Sequence, residues 1–453
     1  MNSISYEWRL IVRSRLCNAA LLFLLALSTL AVWSGLREVA RETATIARVD
    51  RLHQTEMVSV VERYKASTSA GNPAYYTFYP TWDAPSRSAF MALGLRDVNP
   101  YILRVRALAL QAQLHEGETI NPELALPGRF DFAFVLIYLV PLFLIALLYD
   151  LVSGERQSGR LRMLLAMPGS SGRLWYQRAG LRGALVVCCL VLPLLAGMLL
   201  TQMPLAAFAM ALAAILFYVA FWMGLSVWIA TRGWRTVANA TALMACWSML
   251  TLILPAAASV VVARAIPVQQ GVELMLAQRQ NVHGAWEVPH AQTMQRFLAH
   301  HPEWTRQAAL EAGARWKWYF AFNQVGDESV ADQFLAYQQG LLARQQWTAR
   351  LGWLLPAAAV QTMLHRMAET DLQAQLTYQA RITDFHAQIR EFYYPYLFND
   401  RPFGAADFAR RPTFKPHVPA TTYPSLDLLM LGLLGMLVFG CGTHALGNIK
   451  AGH

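Results

Sequence analysis

Residues 205–230 read LAAFAMALAAILFYVAFWMGLSVWIA, and after the link TRGWR (231–235) residues 236–263 read TVANATALMACWSMLTLILPAAASVVVA. Neither run contains Lys, Arg, Asp or Glu, and the link carries only Arg232 and Arg235. A helix rises about 1.5 Å per residue, so about 20 apolar residues cross the roughly 30 Å hydrocarbon core of a bilayer. Each run is long enough to cross, and the link between them is short.

Working outward from this pair, charge-free runs recur at 16–36, 132–149, 183–203 and 428–449. They place six membrane spans at 16–36, 130–151, 183–203, 205–230, 236–263 and 426–449. The composition agrees: of 453 residues, 55% are hydrophobic and 15% charged, against roughly a quarter charged in a soluble domain. A purely soluble enzyme is excluded. The intervening parts are an interfacial N-terminal helix (1–15), a first external insert (37–129), a cytoplasmic segment (152–182) and a second external insert (264–425). Tyr6, Trp8, Leu10 and Ile11 among Glu7, Arg9 and Arg13 suit a helix lying at the membrane surface. Spacing of Leu36, Val39, Ala40, Thr43, Ile46 and Ala47 predicts that the first helix continues beyond the membrane. Residues 351–364 are too few, and broken by Pro356, to form a seventh span. The expected fold class is an all-α integral membrane protein with six transmembrane helices and a mainly helical extracytoplasmic domain assembled from the two inserts.

The formal charge of +10 is informative only through its placement. Arg9, Arg13 and Arg15, then Arg156, Arg160, Arg162, Arg173, Arg178 and Arg182, then Arg232 and Arg235, and finally Lys450 all fall on one side of the six spans. Only Glu7, Asp150 and Glu155 accompany them. Cytoplasmic segments hold such an excess of Lys and Arg, so both termini are expected in the cytoplasm, and no nucleic acid is needed to explain the basic balance. A basic tail before an apolar run also opens a secretory signal, but the run at 16–36 exceeds the 7 to 15 residues of a signal core, so an uncleaved anchor is expected. Cys17, Cys188, Cys189, Cys246 and Cys441 all lie within spans, leaving no disulfide framework or Cys-based metal site outside the membrane.

Mechanism is concentrated between spans two and three, where the chain reads Asp150-Leu-Val-Ser-Gly-Glu155-Arg156-Gln-Ser-Gly159-Arg160-Leu161-Arg162-Met163-Leu164-Leu165-Ala166-Met167-Pro168-Gly169. Leu161, Leu164 and Leu165 share one face of a short helix that Pro168 and Gly169 end. A short helix with an apolar ridge and an arginine border suits a groove on a cytosolic partner, with Arg156, Arg160 and Arg162 pairing with acidic groups around that groove.

Here the sequence resembles the membrane subunits of type 2 ATP-binding-cassette exporters. In that family span two is followed by an acidic-basic-x-x-Gly stretch, leucine-rich residues and a proline turn that form the coupling helix; Glu155, Arg156, Gly159, Leu161, Leu164, Leu165 and Pro168 match those positions. More narrowly, the chain is similar to a subgroup with large inserts after spans one and five, in Asn99-Pro100-Tyr101, Asn121-Pro122, Gly128-Arg129-Phe130-Asp131-Phe132 and Tyr393-Tyr394-Pro395-Tyr396-Leu397-Phe398. The resemblance implies a permease subunit of the bacterial inner membrane, paired with an identical or sibling permease and with two copies of a cytosolic ATPase. No Gly-x-x-x-x-Gly-Lys-Ser/Thr loop exists to cradle phosphates, and the four lysines, Lys65, Lys317, Lys415 and Lys450, lie in no such sequence. ATP and Mg therefore belong to the partner ATPase, and this chain is expected to hold no cofactor and to catalyse nothing by itself.

Apart from His444 near its end, the last span and the other spans have interiors without ionisable groups, which disfavours ion-driven transport. Tyr218, Ser226, Asn239, Thr241, Ser248 and Thr251 are the polar positions in spans four and five. Interhelical hydrogen bonds account for such residues in most bundles; a lining for the substrate path, through Tyr218, Ser226, Asn239, Ser248 and Thr251, is the second reading. His283, His290, His300 and His301, with Glu303 nearby, lack the Cys or paired carboxylates that would complete a metal site. The aromatic stretch 74–82 is expected to pack against the lobe or the outer leaflet, with a ligand platform second, and 392–398 to form a seam between the lobe and the membrane surface, or else to line an external exit or contact a periplasmic protein. Export of an unnamed substrate is the expected function; the alternative is an ATP-driven lever or scaffold working on periplasmic partner proteins.

Overall fold

The computed structural model describes residues 3–114, 130–165, 173–268, 276, 280, 284, 286–307, 315–417 and 423–448. Pro168, Asn121, Pro122, Gly128, Arg129, His283 and Lys450 lie outside the described residues. Among the described residues the chain is mostly helical, with six helices long and apolar enough to cross a membrane.

Helix α1 (Ser3–Arg13) stops at Ser14, whose hydroxyl accepts a hydrogen bond from the Cys17 amide and so caps α2. Helix α2 (Arg15–Tyr64) then runs 50 residues without interruption. The other apolar helices are α3 (Phe132–Gln157), α5 (Arg173–Thr201), α6 (Leu205–Ala230), α7 (Thr236–Ala265) and α13 (Ser425–Gly447), with the short α4 (Leu161–Leu165) between α3 and α5. Their bundle core is fully buried at Leu136, Val140 and Leu144 of α3, Val186 and Leu190 of α5, and Ile215 and Trp222 of α6.

Proline shapes two of these helices. In α3 the turn Val135–Leu139 is π-helical and precedes Pro141; in α7 the turn Met249–Ile253 is π-helical and precedes Pro255. Proline has no N–H for the carbonyl four residues back and its ring crowds that carbonyl, so the ladder widens by one residue at each site. The carbonyl that Pro141 leaves is that of Ile137, and the Tyr218 hydroxyl donates to it at 2.8 Å. Helices α6 and α13 meet through glycines instead. A Cβ added at Gly442 would lie 2.4 Å from the Gly224 carbonyl oxygen, and one at Gly435 would lie 2.6 Å from that of Phe217; only hydrogen at these positions permits the approach.

The two inserts share a second hydrophobic core. Its long helices are α8 (His290–His300), α9 (Arg315–Glu328) and α12 (Leu372–Phe398), and α10 (Ala331–Gly352) and α11 (Pro356–Ala368) stand between the last two in the chain. Among the described residues the all-helical expectation has one exception: β1 (Tyr79–Trp82) pairs antiparallel with β2 (Ile102–Val105), Tyr79 opposite Val105. Alternating aromatic and β-branched residues favour that extended pairing. Both aromatic stretches serve this core. Tyr79 and Tyr393 are buried and share a 2.8 Å hydrogen bond across the inserts, and the Thr81 and Tyr378 hydroxyls share another at 3.0 Å. Buried Asp327 accepts from the Leu110 amide at 2.9 Å and from Arg390 at 2.7 Å. Residues 392–398 thus help to hold the lobe together from inside.

Helix α11, from the segment too short to be a span, packs with the bundle rather than with the lobe core. Val360, Met363 and Leu364 are fully buried in the bundle's cluster together with Phe90 and Met91 of the first insert. The Ser86 hydroxyl donates to the Ala368 carbonyl at 2.6 Å, and Arg366 pairs with Asp427 of α13 at 2.8 Å. A further brace, Arg96, reaches Glu42 of α2 at 2.8 Å and Asp83 at 2.5 Å. The lobe is therefore fastened to the bundle through both inserts.

Candidate functional site

The end of α3 and the residues that follow it fold as a hook. The last turn of α3, Ser153–Gln157, ends before Gly159, whose φ of +75° is open to glycine at little cost. The Arg160 amide donates back to the Glu155 carbonyl at 3.0 Å and the Gly159 amide to that of Arg156 at 3.0 Å, closing α3 before α4 begins.

Electrostatics fix the hook in place. Arg178 of α5 donates to Glu7 of α1 at 2.8 Å and to Glu155 at 2.9 Å, and Glu155 also accepts from Arg160 at 2.7 Å. Arg178 and Glu7 have side chains 10% and 5% exposed, whereas Arg160 is 62% exposed. One guanidinium therefore joins the N-terminal helix, the hook and the third span in a largely dry setting, where a charge-assisted bond is stronger than in water. It also lies over the Trp175 ring, 5.4 Å from its centroid. Arg178 and Glu7 have no place in the motif around residue 155. The signal available in the sequence was the rarity of acids: Glu7 and Glu155 are two of three among the basic segments, and an acid kept in such a field has a partner.

The leucine ridge faces inward. Leu161 is 5% exposed and belongs to the bundle core, and Leu164 and Leu165 are half-buried against it. Among the described residues of the hook, the exposed side chains are Gln157, Ser158, Arg160, Arg162 and Met163, the last 59% exposed. Arg156 is half-buried against the link between α6 and α7, its guanidinium 3.3 Å from where a Cβ on Gly233 would stand. The surface these residues offer is polar and basic with one thioether, and the leucines brace it from behind.

The polar positions of α6 and α7 divide by place. Tyr218, Ser226, Asn239 and Thr251 are buried, Ser248 is half-buried, and Thr241 faces outward with its hydroxyl on the Val237 carbonyl at 3.0 Å. Asn239 donates to the Tyr149 carbonyl of α3 at 3.3 Å and Trp247 to that of Tyr138 at 3.2 Å. In the lobe, His301 stands between Glu303 at 3.0 Å and Glu328 at 2.7 Å, and His300 also meets Glu328 at 3.0 Å. Burial alone raises the Glu328 carboxyl, but its bonds from His301, Gln324 and His300 outweigh this and hold it below the ordinary range. His290 stacks on Trp318 with ring centroids 3.9 Å apart.

No curated protein and no solved structure matches the chain. Residues 272–417, which include α8 to α12, match a family model described as a domain of unknown function (DUF3526).

Proposed function

We propose that this chain is the permease subunit of an ATP-driven type 2 exporter of the bacterial inner membrane, with both termini cytoplasmic and the lobe on the opposite face. The observation that carries this reading is the hook, a basic projection between the candidate spans α3 and α5, tied by Arg178 of α5 to that helix and to α1. A motor that pushes on Arg160, Arg162 and Met163 moves α3, α5 and α1 as one body, which is what transmission needs. A separate ATPase supplies ATP and Mg. A second permease covers α7, the least enclosed of the six helices with 11% of its apolar window buried.

The test is purification of the full chain from its native membrane in mild detergent. A nucleotide-hydrolysing subunit should accompany it, and Arg162→Glu with Met163→Asp should lower that ATPase yield while leaving the chain in the membrane. Recovery of the chain with no such subunit would overturn the reading.

A second reading, a lever acting on periplasmic proteins, draws on the bracing of the lobe by α11 and Arg96. The purified complex separates the two. An amphipathic molecule held between permeases favours export, and a protein held by the lobe alone favours the lever.

A further inference from the structure

A cavity of about 470 Å³ opens where α10, the turn between α11 and α12, and the first insert converge. Its size falls within the roughly 300–1,000 Å³ of small-molecule sites. The walls carry both signs of charge, with Asp83, Glu369 and Asp371 against Arg366 and Arg381. Three of these five are committed elsewhere. Asp83 pairs with Arg96 and Arg366 with Asp427. Asp371 caps α12 by accepting from the Ala374 amide at 3.1 Å, and it also accepts from Gln345 at 2.8 Å.

Glu369 and Arg381 remain. Among the described residues no donor hydrogen-bonds the Glu369 carboxylate, whose Oε1 is buried. Arg381 makes no ion pair among them; it donates to the Lys415 carbonyl at 2.6 Å and lies over the Phe414 ring, 5.0 Å from the centroid. Burial, the main cause in both, raises the Glu369 carboxyl and lowers the Arg381 guanidinium, with Asp83 adding at the first and opposing at the second. Each shift favours the neutral form, as for a charge that lacks full compensation. The two groups also stand apart. Glu369 precedes α12, and Arg381 follows Leu372, the first residue of that helix, by nine positions, about 13 Å along the axis. Neither is among the charges that shift the other. A long helical side chain leans toward the N-terminus of its helix, which narrows the gap to one that two or three extended residues of roughly 3.3–3.6 Å each can bridge.

A metal ion does not suit this cavity, since no group of His, Cys, Asp and Glu among the described residues could hold one. A molecule with an ammonium at one end and a carboxylate at the other supplies both missing counter-charges. We propose that the cavity binds a short peptide of two or three residues, its terminal ammonium against Glu369 and its terminal carboxylate against Arg381. Gln373 and Thr377, between the two along α12, offer an amide and a hydroxyl to the peptide groups. The proposal is independent of export. Because α11 packs into the bundle and α12 into the lobe core, an occupied cavity fastens one to the other.

The test is retention of a random tripeptide mixture by the full chain in mild detergent, read by mass spectrometry, with the mixture offered uncapped, N-acetylated or C-amidated. Uncapped tripeptides should be retained, and each cap should weaken retention about tenfold, the loss of one charge-assisted contact. Glu369→Gln should erase only the preference over the acetylated form, and Arg381→Gln only that over the amidated form. Uncapped tripeptides that are not retained, a cap that changes nothing, or a variant that keeps both preferences overturns the proposal. If a variant does not fold, the three forms of the mixture on the natural chain decide alone.

Discussion

Replacing Arg178 with Gln strands two carboxylates at once. Glu155 keeps Arg160, but that arginine is mostly exposed and its bond is worth at most about 1 kcal/mol. Glu7, with its side chain 5% exposed, is left with an uncompensated charge in a dry setting. Removing one partner of a buried pair costs about 3–5 kcal/mol, and the low exposure of Glu7 and Arg178 places this change in that range. Thermal unfolding of the purified chain in detergent, followed by tryptophan fluorescence, should show a large drop, with faster tryptic cleavage at Arg9 and Arg13 as α1 lifts off. The decisive measurement is a double-mutant cycle with Glu7→Gln. Neutralising Glu7 should be costly in the natural chain and nearly free, or stabilising, beside Arg178→Gln, giving a coupling of at least about 1.5 kcal/mol. Additivity within about 0.5 kcal/mol would refute the bridge.

On the hook, Leu161→Ala should cost about 2–5 kcal/mol because the side chain is 5% exposed, while Met163→Ala should leave the midpoint unchanged; equal effects in a thermal-shift assay would contradict the inward leucine face. At the α6–α13 contact, Gly442→Ala places a Cβ 2.4 Å from the Gly224 carbonyl oxygen and should cost about 1–3 kcal/mol, read from the same melts. Burial pushes the Glu369 carboxyl up to about 7, with repulsion from Asp83 and Asp371 adding and Arg96 opposing. The unfolded chain releases this proton near 4.5, so stability falls as pH rises from there to about 7 and stays lower above; Glu369→Gln should remove that loss, on the order of 1 kcal/mol after solvent screening. His386 moves oppositely. Burial and then Arg390 lower it to about 3 against 6.5, so stability is lost as pH falls below 6.5, and His386→Gln should flatten that acid limb of a midpoint-against-pH profile.

Charge-free runs located the six apolar helices well. Residues 205–230 coincide with α6, and 236–263 with all but the last two residues of α7. The three-and-four spacing after Leu36 correctly indicated that α2 continues beyond the apolar run. Such readings succeed because solvent preference is a property of each residue and its near neighbours. The direction of a helix face is not. Leu161, Leu164 and Leu165 make a ridge in any reading of 161–165, but only the packing of α3 and α5 decides whether it turns to a partner or to the bundle. The π-helical turns were legible in retrospect from Pro141 and Pro255, each inside an apolar run, a position that disrupts the ladder. The Arg178 bridge joins residues 171 positions apart, and no local pattern carries such information. The same holds for α11, whose length excluded a span but whose place against the bundle depends on Phe90 and Met91 from another insert.

A rod has consequences that a chain of short helices lacks. At about 1.5 Å per residue, the 50 residues of α2 extend about 75 Å, with no hinge between Ser14 and Tyr64. Pivoting such a rod by about 5° at its origin sweeps the far tip about 6 Å. Ångström-scale displacements beside Arg178 are thereby magnified at the distant end, where Met57 and Val60 are embedded in the lobe core.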